Sequence, residues 1–104
     1  VDRHTATKQI RQLAQDETRV FFTEHAKKRN PQEGKFPLTK DQVLNCLTHG
    51  YVKDDPVDDI KVPNGKKCTI TRFVPRECHE VVVVFVPSEN ILVITAYECG
   101  KTAR

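Results

Sequence analysis

The residues best suited to chemistry gather in one short stretch, Thr23-Glu24-His25-Ala26-Lys27-Lys28-Arg29-Asn30, closed by Pro31. On a helical turn His25, Lys28 and Arg29 fall at i, i+3 and i+4 and share a face. An imidazole titrating near neutrality beside two fixed cations is the equipment for proton transfer next to a phosphodiester. The plainer reading of the same stretch is a solvated helix face. Which applies depends on the elements that position it.

The chain has 104 residues, enough for a single domain over residues 1–104 with one modest core. Charged residues make up 30% and the mean hydropathy is −0.54, yet the apolar residues are concentrated into runs, as in a folded domain. Net charge is only +3. Its distribution says more: residues 1–40 hold nine Lys/Arg against five Asp/Glu, and residues 61–104 hold seven against four. Residues 41–60 reverse the sign, with five Asp and the single Lys53. A basic surface with a separate acidic edge suits an anionic ligand and a basic partner. The longest apolar run, Val81–Val86, is strand-sized, so no membrane association is expected. No signal peptide is visible, and a chain that starts at Val1 without any Met reads as a processed product or a piece of a longer protein.

Cys46, Cys68, Cys78 and Cys99 are well separated, with no Cys-x-x-Cys pair. They read as reduced, cytosolic thiols, and neither they nor the histidines show metal-ligand spacing; no metal and no cofactor is expected.

Ala6, Ile10, Leu13 and Ala14 recur at helical spacing and predict a first helix over about residues 4–16. Val20-Phe21-Phe22 is a link or a helix entry. Thr23 caps the short His25 helix and Asn30-Pro31 ends it. Residues 31–38 read as a loop. Thr39-Lys40-Asp41-Gln42 is a capping box opening a helix striped by Val43, Leu44 and Leu47 and stopped by Gly50. The period then changes. Val57–Val62 reads as an edge strand, Asn64-Gly65 as a hairpin turn, Lys66–Val74 as a strand and Pro75–His79 as a polar link. Glu80–Val86 and Ile91–Glu98 complete the set. Helices first and an antiparallel meander after them define an α+β domain, N-terminal helices packed on a small antiparallel sheet.

Alternation places Cys68, Ile70 and Arg72 on one side of their strand, and Lys67, Thr69, Thr71 and Phe73 on the other. On the last strand, Ile91, Val93, Thr95 and Tyr97 share a face. With the two strands as neighbours, Arg72 would meet Thr95 and Tyr97 in a shallow concave site. Singly, each has an ordinary role: Arg72 in a cross-strand ion pair, Thr95 as a strand former, Tyr97 as a core-edge aromatic.

Taken in order, Phe22-Thr23-Glu24-His25-Ala26-x-x-Arg29, a helix ending in His49-Gly50, and Val93-Ile94-Thr95-Ala96-Tyr97 resemble a family of small bacterial domains related to the RelE and BrnT toxins. The resemblance runs from about residue 20 onward and rests on the His-Ala-x-x-Arg and Thr-Ala-Tyr elements. It implies a RelE-like fold and an endoribonuclease toxin acting on RNA, tRNA or mRNA, at a cytoplasmic site. Such a domain is one member of a toxin–antitoxin pair or the terminal domain of a secreted effector, with a cognate antitoxin or immunity protein as partner. Only Lys101 and Arg104 follow the last strand, fewer basic residues than in RelE itself, which points away from ribosome-dependent cleavage.

Metal-independent RNA cleavage uses the 2′-hydroxyl as nucleophile and needs a base, an acid and a cation. On this reading His25 transfers the proton, Arg29 and Arg72 clamp the phosphate, and Lys28 and Lys67 add charge. Tyr97 is a second proton-transfer group or a stacking surface, and Thr95 donates to a phosphate oxygen. His79, in its polar link, reads as a bystander, as do His4 and His49. Asp54-Asp55-Pro56-Val57-Asp58-Asp59 reads as a solubilising turn. The alternative from another class is a non-catalytic module that binds nucleic acid or a protein partner through the same basic face.

Overall fold

The computed structural model describes residues 2–28 and 36–99, with the backbone alone at 27, 28, 36, 37 and 99. Helix α1 spans Arg3–Ala14, with Asp2 as its N-cap accepting from the Thr5 amide, and buries Ala6, Ile10, Leu13 and Ala14. A 3₁₀ turn, Glu17–Arg19, leads into β1 (Val20–Phe22) and then α2 (Glu24–Lys28). The Thr23 hydroxyl accepts from the Ala26 amide, the expected cap. Strand β2 (Phe36–Pro37) precedes α3 (Lys40–His49), whose capping box forms in both directions between Thr39 and Gln42. Then come β3 (Tyr51–Val52), β4 (Val57–Asp58), β5 (Lys66–Val74), β6 (Glu77–Val86) and β7 (Asn90–Cys99). The α+β architecture with N-terminal helices is therefore present.

Among the described residues the strands form one seven-stranded sheet in the order β1-β7-β6-β5-β3, with β2 on β7 and β4 on β5. The sheet is mixed, not antiparallel throughout, because Val20–Phe22 runs parallel to β7. That segment is too short for periodicity to reveal it as a strand. The polar link expected over Pro75–His79 is a two-residue hairpin: Val74 faces Glu77, and Arg76 adopts φ 70° after Pro75 with its fixed φ. Strand β6 thus starts three residues earlier than expected. Strand β4 is shorter than expected, because the Asp59 carboxylate accepts from the Lys61 and Val62 amides and winds residues 59–65 into a wide loop.

The main core cluster lies on one side of the sheet. Ile70, Val81, Val83, Phe85, Ile91 and Val93 meet α1 and the α3 residues Val43, Cys46 and Leu47 there, and Ala26 of α2 packs against the same cluster. No described helix covers the other side, here called the open side; Val84 and Thr71 are buried on it, and the registers place Phe21, Tyr51, Val57 and Phe73, all exposed, on it too. One irregularity sets which side chains reach it. Val82 faces Thr95 while Val83 faces Val93, so Ile94 is a bulge without a partner. Before the bulge Ile91 and Val93 point to the core; after it Ala96 and Glu98 do, and Thr95 and Tyr97 turn to the open side. The single face expected for Ile91, Val93, Thr95 and Tyr97 is corrected accordingly.

The cysteines are corrected as well. Cys46 and Cys68 are free and buried, but Cys78 is disulfide-bonded, and the residue facing it across β6 and β7 is Cys99. No helix among the described residues is long and apolar enough to cross a membrane.

Candidate functional site

The predicted site residues separate. Strand β6 lies between β5 and β7, so Arg72 and Tyr97 are not on neighbouring strands. The row Arg72–His79–Glu98 faces the helices, whereas the row Thr71–Glu80–Tyr97 faces the open side. Arg72 and Tyr97 therefore stand on opposite faces, and the concave site expected between them does not form. His25 is exposed on α2, the helix whose Ala26 enters the helix-side core. Arg29 and the side chain of Lys28 lie outside the described residues. Lys67 and Thr95 are on the open side, Lys67 exposed and Thr95 half-buried.

The open side carries a connected polar centre. Tyr97 Oη donates to Glu80 Oε1 at 2.7 Å. Lys53 Nζ donates to Glu80 Oε2 at 2.9 Å, and Thr71 Oγ1 approaches the same oxygen at 3.3 Å. Four elements position these groups: Thr71, Glu80 and Tyr97 are cross-strand partners on β5, β6 and β7, and Lys53 follows β3, its amide bonded to the Thr69 carbonyl. Burial alone would raise the Glu80 carboxyl, but the hydrogen bonds from Tyr97 and Lys53, the Lys53 charge and Thr71 outweigh it and hold the group below the usual carboxylate range. Burial and the bonded Glu80 carboxylate together push the Tyr97 phenol up to about 12. The bond to Glu80 raises Lys53, as does that carboxylate's charge. At neutral pH the centre holds a carboxylate, an ammonium and a protonated phenol.

The helix side carries a second arrangement, centred on His79. His79 lies not in a polar link but within β6, 3% exposed, and its Nε2 is 2.7 Å from Glu77 Oε1. Its Nδ1 is buried without a hydrogen-bond partner among the described residues. Cys46 Sγ points at the His79 and Ile70 carbonyls above it. This imidazole is enclosed under the helices, out of reach of a polymer, whereas the Glu80 centre lies on the opposite face, where Lys53 is half-exposed.

Of the expected residues the open site keeps Tyr97, with Thr95 and Lys67 on the same face; it adds Glu80, Lys53 and Thr71. Glu80 had a readable signal: once Pro75-Arg76 is taken as a hairpin turn, period-two alternation puts Cys78, Glu80 and Val82 opposite the apolar Val81, Val83 and Phe85. Lys53 had none, because its place depends on how β3 docks on β5. No protein-family model, no curated protein and no solved structure matches this chain.

Proposed function

We propose that this domain is an endoribonuclease that cleaves RNA by 2′-hydroxyl attack, with its centre at Glu80, Tyr97 and Lys53 on the open sheet face. The observation that carries this reading is the Glu80 carboxylate, its side chain 12% exposed, contacted by Lys53, Thr71 and Tyr97 on the sheet face opposite the helices. Those groups supply a base, a cation and a phenolic acid in one site. Glu80 accepts the 2′-hydroxyl proton as that oxygen bonds to phosphorus, and Lys53, half-exposed, swings to the phosphorane charge. The 5′-oxygen leaves with the Tyr97 proton, and Glu80 returns its proton to the phenolate. The products are a 2′,3′-cyclic phosphate and a 5′-hydroxyl. Thr95, two residues before Tyr97 on the same face, and Lys67 add contacts to the strand. Metal independence and the toxin role, with an antitoxin or immunity protein as partner, follow from the resemblance to RelE-related domains.

One observation favours the non-catalytic reading. Both Glu80 oxygens already have partners and the carboxyl is held low, which suits a docking centre as well as a base. Total RNA incubated with the protein in excess EDTA decides between them, beside Glu80→Gln, Tyr97→Phe and His25→Ala. We expect cyclic-phosphate products with wild type and His25→Ala, fewer with Tyr97→Phe and none with Glu80→Gln. Loss in His25→Ala alone would return the chemistry to α2. RNA bound but intact throughout would leave the binding module.

A further inference from the structure

Tyr51 and Phe73 are 66% and 80% exposed, large rings on a sheet face where solvated strands carry polar side chains. Both adjoin the Glu80 centre. Tyr51 faces Thr71, which faces Glu80; Phe73 is two residues beyond Thr71 on the same side and diagonal to both Tyr51 and Glu80. Diagonal neighbours in a sheet are about 7–8 Å apart, within reach for aromatic side chains.

The Tyr51 ring is held in place. Arg11 Cζ lies 4.6 Å from its centroid, and that guanidinium is itself anchored, Nε and Nη2 donating to the Gly50 carbonyl at 3.1 and 2.9 Å. One ring face is covered by a fixed cation while the residue as a whole remains two-thirds exposed. An ordered, exposed ring has already lost the rotamer freedom that binding would otherwise remove.

We infer that Tyr51 and Phe73 form a two-base stacking platform beside the Glu80 centre, so that the substrate is single-stranded RNA with unpaired bases at the reacting phosphate. This rests on the RNA reading of that site. The groups beside the rings favour a nucleic acid over an apolar protein surface: Thr71 and Glu80 flank Tyr51 and Phe73, and Lys53 stands two residues beyond Tyr51, so that the ammonium can meet a phosphate and the carboxylate a sugar hydroxyl. Bases stacked in a duplex present no free face to such rings.

The test is fluorescence anisotropy with a labelled 2′-O-methyl oligonucleotide, which binds without being cleaved, as single strand and as duplex. Wild type is expected to bind the single strand at least tenfold tighter. Tyr51→Ala and Phe73→Ala are each expected to weaken single-strand binding about tenfold, in line with the loss of one stacked base. Tyr51→Phe and Phe73→Trp keep a ring and should keep affinity, and the introduced Trp should be quenched by RNA. Equal affinity in both alanine variants, with wild type binding RNA, overturns the platform and leaves the reading of the site standing. No RNA binding by wild type overturns both. Self-association in sedimentation velocity that Phe73→Ala abolishes, with RNA affinity unchanged, would assign the rings to a protein interface and overturn the platform.

Discussion

Tyr97 and Glu80 face each other across β7 and β6, and the phenol donates to the carboxylate at 2.7 Å. The two titrate as partners: the carboxylate keeps the proton on the phenol, and the phenol helps keep the carboxylate charged. This contact brings together Tyr97, which the sequence marks, and Glu80, whose side of the strand follows only once Pro75-Arg76 is taken as a turn.

Glu80→Gln removes the charge and keeps the shape. The Tyr97 phenol, now near 12, should titrate lower in this variant, as followed by phenolate absorbance with Tyr51 as the second tyrosine. RNA cleavage should fall ~100-fold or more, in line with the loss of a general base. An unchanged Tyr97 titration would mean that the contact does not hold in solution.

Acid stability should change in the same variant. A carboxyl whose folded pKa is depressed stabilises the fold above its unfolded value, near 4.5, and loses that contribution as pH falls through the lower folded value. The unfolded chain binds more protons in that window, so stability rises with pH there. Asp2, Asp16 and Asp58, lowered by hydrogen bonds from Thr5, Thr18 and Lys66, act in the same sense. Urea midpoints taken from below to above pH 4.5 should therefore fall toward acid in wild type and fall less steeply in Glu80→Gln. Parallel curves would remove Glu80 from the acid response.

Burial pushes the Cys46 and Cys68 thiols up to about 12. Both should resist a disulfide reagent at neutral pH in the folded protein and react once it is unfolded. Cys78 should not react until a reductant is added. Replacing it by Ser should lower stability by about 2–4 kcal/mol in denaturant titrations, the usual range for a lost disulfide. Rapid labelling of Cys46 in the native state would show that α3 does not seal the core.

Gly50 ends α3 where backbone meets backbone. A Cβ there would lie 2.5 Å from the Cys46 carbonyl oxygen and 2.8 Å from that of Thr71. Neither can give way, so Gly50→Ala should cost about 1–3 kcal/mol, measured by urea unfolding. Because Arg11 bonds the Gly50 carbonyl, the variant should also loosen the Arg11–Tyr51 stack. Full stability in Gly50→Ala would show that the α3–β3 corner is not tightly packed.

The features legible in the residues alone are local. The apolar spacing of Ala6, Ile10, Leu13 and Ala14 defines α1, the Thr39–Gln42 pair starts α3, and alternation along Lys66–Val74 assigns Arg72 and Thr71 to opposite sides; each depends on residues a few positions apart. Which distant residues meet depends on how the strands pair and dock. Insertion of β6 between β5 and β7 separates Arg72 from Tyr97, and parallel pairing makes Val20–Phe22 a strand. The bulge at Ile94 matters most. Because side chains alternate with period two, one unpaired residue reverses every face assignment beyond it, carrying Thr95 and Tyr97 away from the core and onto Glu80. Nothing in the type of Ile94 announces that it is skipped; the two ladders that must both be satisfied on either side of it decide so.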